Sequence, residues 1–498
     1  MWIEHQKALV IGLGASGQAA ARLLRRRGAS QVLIVDQAVN PDLNRLADRL
    51  RSEGVEVELG LQALPPLAFD LAVISPGVPS QGLLAREVRR RGIPLLGELE
   101  LGFREYPSKP VVAITGTNGK TTTTELVEKM LNHAGKTTRA AGNIGFPLCQ
   151  LAMDRPDLEW LTLEVSSFQL ETIVKFHPRI ALLLNVTPDH LDRYPDMEDY
   201  LQTKARLFVN QTSDDWAILQ IETLEMLRRM SLKPRSRIVT FSACREEADL
   251  FAREGIIWRR NGSDTEALLR LDQVRLQGPH NAENLMATLA VGMAAELPVK
   301  TITEALSAYE PAPHRCERVA KFRDVLFVND SKATNIDAVA KALMTMPHDP
   351  GNERNIWLIA GGRDKGFSFE GLESLLARRV KGAVLIGETG ERIAAAWRGF
   401  TPCLLADTLV KAVHVAAKQA VSGDVVLLSP ACSSFDMFKN YQHRGETFRS
   451  AVRQWIASES VAVSANLPLH EHGPGPGASL MSLAAQSKTM TTWAASTM

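Results

Sequence analysis

A strand that runs straight into a Gly-Lys-Thr turn and then a helix restricts this chain more than any other feature. The apolar run Val111 to Ile114 overlaps AITGTNGKTTTT (Ala113 to Thr124), after which the pattern turns helical. Loop and first-turn N–H groups then point one way beside the positive end of a helix, so an anion is favoured there. Gly116 and Gly119 let the backbone approach phosphate oxygens, Lys120 can neutralise them, and the Thr121 hydroxyl is placed for magnesium. Use of ATP or GTP is expected. An ordinary glycine-rich turn would explain the glycines but not Gly-Lys-Thr directly after a strand. The common phosphate loop has about four residues between its glycines, whereas only Thr117 and Asn118 separate these, so a shortened subgroup of the loop is expected.

The chain has 498 residues, beyond the size at which one hydrophobic core stops growing, so two to four domains are expected. A formal net charge of +1, with 45% apolar and 23% charged residues, gives no reason to expect a nucleic-acid partner. The runs Arg25 to Arg27 and Arg89 to Arg91 lie in helical patterns and are expected to be solvated faces. Five scattered cysteines without CxxC spacing fit a reducing compartment and no metal cluster. Without an apolar run of about 18 residues or a cleavable leader in MWIEHQKALVIGLG, a cytoplasmic protein with no membrane insertion is expected.

Short apolar strands alternate with helical stretches three times over, which is the pattern of parallel α/β units. Gly12-Leu13-Gly14-Ala15-Ser16-Gly17 follows the first strand and Asp36 closes the second, matching a dinucleotide fingerprint. That match leaves open which phosphate-bearing ligand approaches, and a tight turn with close helix packing would look alike. Tyr106-Pro107-Ser108-Lys109-Pro110 marks a boundary near residue 100, and Pro311-Ala312-Pro313 marks another before a fresh alternation. From Ser458 the chain turns polar and small, with GPGPG at 473–477 and two histidines, His470 and His472, so a disordered, dispensable extension is expected.

Glu164 ends a strand in LEVSSFQLE and His190 follows the next strand in NVTPDHLDRY, so both can face magnesium at Thr121. Lys204, in the helical YLQTKARLF, reads as a solvated side chain. His314-Arg315 and Asp330-Ser331-Lys332-Ala333-Thr334-Asn335 offer mixed charge for a second substrate and nucleotide phosphates.

GTNGKTT, LEVSSFQLE, NVTPDHLDRY, HNAENLMAT, PHRCE, NDSKATN, GGRDKG and SPACSSFDMFKNYQHRG occur in this order, and across residues 5–457 the chain resembles the ATP-dependent Mur ligases of peptidoglycan synthesis. GLGASG with DHLDRY, NDSKATN and SPACSSFD resembles the branch that adds D-glutamate to UDP-N-acetylmuramoyl-L-alanine. The resemblance implies an α/β, three-domain architecture: a Rossmann-like UDP-substrate domain (1–100), a central phosphate-loop ATPase (101–311) and a Rossmann-like C-terminal domain that brings the amino acid (312–457). The extension would occupy 458–498. It also implies an acyl phosphate made from ATP and the alanyl carboxylate, then amide formation with loss of phosphate, in a monomer.

By motif match, ATP would meet Gly116, Thr117, Asn118, Gly119, Lys120, Thr121, Thr122, Asn281, Asn284, Arg315 and Asp330, with Lys120, His190, Lys204 and Lys332 catalytic. Two magnesium ions would be held, one by Thr121 and Glu164, the other by His190 and a carbamylated Lys204. Gly12, Gly14, Ala15, Ser16 and Gly17 would face the UDP pyrophosphate, Asp36, Ser75 and Gly77 the uridine, and Asn143 the nucleotide and substrate junction. Thr334, Lys365, Ser434, Phe435 and Tyr441 match D-glutamate positions, although Tyr441, Met437 and Ser368 depart from the usual family residues. Another amide ligase of the superfamily would share the loop but lack the N-terminal domain. An NAD-dependent dehydrogenase would explain GLGASG alone, and a silent nucleotide-binding regulator would not need Lys120, Glu164, His190 and Lys204 intact.

Overall fold

The computed structural model describes residues 3–154, 156–191, 193–310, 313–347, 354–364 and 368–465. Its first sheet has five parallel strands in the spatial order Glu56–Leu59, Gln31–Asp36, Lys7–Ile11, Leu71–Ile74, Leu95–Gly97. Ala8 and Val10 point into one core while Leu9 and Ile11 point into another, the period of two expected of a strand covered on both faces. Strand order reverses between Lys7–Ile11 and Leu71–Ile74, so the loops after them, Gly12–Gly14 and Ser75–Gly77, border one crevice.

The second sheet has nine strands, and Val111–Thr115 lies inside it between Trp160–Glu164 and Ile180–Leu183. The loops leaving these three strands therefore converge, which sets the phosphate loop beside Glu164 and beside the segment that ends at His190. Val112 and Ile114 enter the core under helices Lys120–His133 and Pro279–Ala294, whereas Val111 and Ala113 enter the opposite one. The third sheet has six strands, with Val325–Asn329, Val425–Leu428 and Ile356–Gly361 adjacent and parallel at its centre and the antiparallel Glu317–Phe322 at one edge. Three α/β domains thus follow one another along the chain.

Helix Glu98–Phe103 carries two buried carboxylates into the second domain. Glu100 accepts backbone N–H groups of Val174, Lys175 and Phe176, and Glu98 accepts that of Cys149 at 2.6 Å while burial pushes its carboxyl up to about 7. Arg25 and Arg26 are exposed, as a solvated face requires, but Arg27 departs from that expectation. Arg27 is buried and pairs with Glu105, and Arg26 donates to the Met153 carbonyl, because this end of its helix packs on the neighbouring domain rather than on water. The chain divides into two units, at Arg453 and Gln454, and all three sheets lie in the first. The described part of the second is helical to Ala465, so the expected extension from Ser458 starts as helix, and its remainder, with His470, His472 and GPGPG, lies outside the described residues.

Candidate active site

The phosphate loop is shaped by its glycines and braced from the segment that follows the neighbouring strand. Gly116 (φ 153°) and Gly119 (φ 86°) take conformations that L side chains resist, and a Cβ on Gly119 would lie 2.4 Å from Asn284 Oδ1. Asn185 braces the loop from the next strand, accepting the Asn118 N–H at 2.9 Å and donating to the Asn118 carbonyl at 3.0 Å. Thr117 is tied likewise to Thr187, hydroxyl to carbonyl at 3.1 Å and N–H to hydroxyl at 3.0 Å. Lys120 opens the helix Lys120–His133 and folds its ammonium back onto the carbonyls of Gly116 and Thr117, each at 2.9 Å. Burial pushes this ammonium toward its neutral form, and Glu164 and Asp189 oppose that.

Lys204 contradicts the solvated side chain that its helical pattern suggests. It is buried, donates to the Gly116 carbonyl at 3.0 Å and sits 4.6 Å from the Tyr200 ring centre. Burial, then the nearby Lys120 charge, hold it well below the usual lysine range. His190 lies in a left-handed turn (φ 55°) against the Phe168 ring, with its Nε2 3.6 Å from Asp189.

Two clefts meet at the loop. One, about 690 Å³, is lined by Asn118, Gly119, Thr122, Asn281, Asn284, Arg315, Asp330 and Lys332, so eight of the expected nucleotide-side and closing residues share it. The other, about 740 Å³, gathers Thr121, Asn143 and Glu164 from the second domain with Arg315, Lys332 and Tyr441 from the third. There Asn143 donates to Glu164 Oε1 at 2.8 Å, while Glu164 Oε2 is buried without a hydrogen-bond partner among the described residues. An orphaned carboxylate oxygen beside a threonine hydroxyl suits a hard cation. Lys204 as an ammonium does not suit one, and would do so only after conversion to an anionic oxygen donor. Among the described residues no group of three or more His, Cys, Asp or Glu side chains converges on a metal position.

The third domain contributes charges that burial has altered. Asp330 accepts from Ser429 Oγ at 2.9 Å and from the Cys316 N–H at 3.2 Å, and burial lifts its carboxyl to about 7. Lys332 lies 4.1 Å over the Tyr441 ring, and burial with the Arg315 charge lowers it to about 8. Of the amino-acid positions, Tyr441 lines the second cleft, Thr334 directly follows the cleft residue Ala333, and Ser434 is buried in its own loop. Phe435 is 63% exposed and outside both clefts, because the loop turns it to solvent, and Lys365 lies outside the described residues.

In the first domain a Cβ on Gly17 would lie 1.9 Å from the Gly12 carbonyl, and Asp36 accepts the Leu13 N–H at 2.8 Å. Gly14, Ala15 and Ser16 open the helix that follows, and the Ser75–Gly77 turn faces the same loop, since a Cβ on Gly12 would lie 3.0 Å from that of Ser75.

Three residues of the site were not anticipated. Asp337 accepts from Asn118 and, at 3.2 Å, from Thr187, and pairs with Lys341 at 2.9 Å, joining the third domain to the phosphate loop. Arg444, fully buried, donates to Ser331 and to the carbonyls of Cys432 and Ser433. Arg193 spans the first two domains. All three stand in or just beyond the quoted motifs, which was the available signal.

Comparison with known proteins agrees with this arrangement over 91% of the chain. The Mur ligase MurD-like N-terminal domain matches residues 6–97, the Mur ligase middle domain 114–292, and the Mur ligase glutamate ligase domain 314–432. The UDP-N-acetylmuramoylalanine--D-glutamate ligase of Acidobacterium capsulatum is 43% identical over 91% of this chain and 97% of its own. The protein of the same name from Koribacter versatilis is 40% identical over 92% and 100%. In fold, the MurF ligase from Thermotoga maritima in complex with ADP superposes with a TM-score of 0.57 at 17% identity, over 92% of this chain and 96% of that one. The chain belongs to the Mur ligase family and, within it, to the D-glutamate ligases.

Proposed function

We propose that this protein is the ATP-dependent ligase that joins D-glutamate to UDP-N-acetylmuramoyl-L-alanine in peptidoglycan precursor synthesis, giving ADP and phosphate. The observation that carries the reading is the cleft in which Thr121, Asn143 and Glu164 meet Arg315, Lys332 and Tyr441. It joins a phosphate loop to a domain able to bring a second substrate, and no side chain there need serve as a nucleophile. An alanyl carboxylate oxygen bonds to the γ-phosphorus as the bond to ADP breaks. The D-glutamate ammonium gives one proton to solvent, the resulting amine bonds to the acyl carbon, and the nitrogen gives up a second proton to solvent as phosphate leaves with the electron pair. Anions must be brought together, so the work of the protein is positioning and charge compensation.

In this reading Lys120, Arg315 and Lys332 offset phosphate charge, and Asn281 and Asn284 border the adenosine. Gly14 to Gly17, Asp36, Ser75 and Gly77 hold the UDP end, with Asn143 at the junction. Thr334, Lys365, Ser434, Phe435 and Tyr441 serve D-glutamate. Thr121 and Glu164 would hold one magnesium ion, and His190 with carbamylated Lys204 a second; magnesium supplies compensation of phosphate charge. Buried Lys204, biased toward the neutral amine, is chemically suited to take up carbon dioxide. No helix of the described residues is long and apolar enough to cross a membrane, and a cytoplasmic monomer is proposed.

Phosphate release from ATP, with magnesium and UDP-N-acetylmuramoyl-L-alanine, tests the reading when D-glutamate is compared with L-glutamate, L-alanine, L-lysine and meso-diaminopimelate. Release requiring both the UDP substrate and D-glutamate is expected. Release with another amino acid would sink the D-glutamate assignment.

A further inference from the structure

Arg193 uses its guanidinium in two directions at once. Nε and Nη2 grip the Glu171 carboxylate at 2.9 and 2.6 Å, and the same carboxylate accepts the Tyr194 hydroxyl at 2.8 Å. Two further hydrogens cross into the first domain, Nη1 to the Pro76 carbonyl at 3.1 Å and Nη2 to the Val78 carbonyl at 3.2 Å. The guanidinium lies 4.0 Å from the centre of the Phe168 ring, which in turn lies 4.6 Å from that of His190. Side-chain exposure of 14% for Arg193 and 9% for Glu171 leaves the pair largely dry, where a forked pair holds its geometry firmly.

Pro76 and Val78 belong to the turn that closes over the Gly12 loop, since a Cβ on Gly12 would lie 2.7 Å from Val78 Cγ2. One side chain therefore fixes that turn and braces the ring against which His190 rests. A sugar nucleotide that is bound at the turn and reacts near the phosphate loop must bridge these two places. We infer that Arg193 is a positioning residue that sets the distance between the UDP-binding turn and the His190 loop, an inference that rests on the ligase reading above.

The test is steady-state kinetics of the full-length protein and its R193A, R193K and E171Q variants, with separate KM values for UDP-N-acetylmuramoyl-L-alanine, ATP and D-glutamate. Misplacing one end of a substrate by about 1 Å can cost on the order of 100-fold, so kcat/KM for the UDP substrate is expected to fall about 10- to 100-fold in R193A. R193K should not rescue it, because an ammonium cannot fork across Glu171 and two carbonyls. KM for ATP and for D-glutamate should stay within about threefold, since their sites lie elsewhere. Equal changes in every KM, a loss in kcat alone, no change, or unfolding of all three variants would overturn the inference. A wild-type protein without D-glutamate-dependent turnover would instead overturn the ligase reading, and the inference with it.

Discussion

Gly12–Gly17 and Gly116–Lys120 both carry a parallel strand into a helix where strand order reverses, yet they are completed by opposite charges. Around the first, the Asp36 carboxylate accepts a loop N–H, and a Cβ on Gly17 would strike the loop's own carbonyl. Around the second, partly buried Lys120 and fully buried Lys204 both donate to the Gly116 carbonyl. A carboxylate at the loop suits hydroxyl groups and a ligand that is held but not changed. Ammonium groups forced out of water suit a phosphate that gains charge during reaction. On the proposed function, the same backbone device would serve holding in one domain and chemistry in the other.

The comparison breaks first at Lys120. K120A should lower D-glutamate-dependent phosphate release about 10²- to 10³-fold, and turnover near the wild-type rate would remove the second loop from the chemistry. Next comes G17A, whose Cβ would press on backbone 1.9 Å away. A cost of about 1–3 kcal/mol is expected in denaturant melts, with a raised KM for the UDP substrate and ATP affinity unchanged. If ATP affinity moves equally, the two loops are not separate devices.

Lys332 sharpens the contrast through pH. With its ammonium at about 8, kcat/KM should fall up to ~10-fold per pH unit above that value, and K332M should lack this limb. The sign for stability is the reverse. Between pH 8 and the unfolded value near 10.5 the folded state holds fewer protons at Lys332, so the ligand-free protein should gain stability as pH rises through that window, a gain reduced in K332M, where Lys120 and Lys204 still contribute. The smallest effect is expected from D36N, which keeps an acceptor but loses charge at the Leu13 N–H. About 1 kcal/mol, read as a modest rise in KM for the UDP substrate alone, would fit a holding role.

Much of this was legible in the residues. Apolar runs such as Val111–Ile114 and Val325–Asn329 marked strands buried on both faces, and the turns after them marked the clefts. What stayed hidden depended on partners far away in the chain. Lys204 looked solvated because nothing near it in sequence shows that its helix turns it under Gly116, 88 residues earlier. Arg27 looked solvated because Glu105 lies 78 residues on. Arg193 stood in a recognised motif, yet its carbonyl partners in the first domain are more than a hundred residues away. Phe435 faces solvent in this structure, and a motif position does not say which way a loop turns its side chain.

Arg444 has a consequence for how amino-acid choice can change. It bonds the Ser331 hydroxyl and carbonyl on one loop and the carbonyls of Cys432 and Ser433 on the other, and burial lowers it only to about 10, so it stays charged. The loop that carries Asp330 and Lys332 and the loop that carries Ser434 and Phe435 are therefore tied together as one jaw. Adaptation to a longer or differently charged amino acid cannot come from sliding one loop past the other. It must come by exchanging the side chains that the jaw presents, which leaves evolution, or an inhibitor chemist, a fixed frame with replaceable teeth.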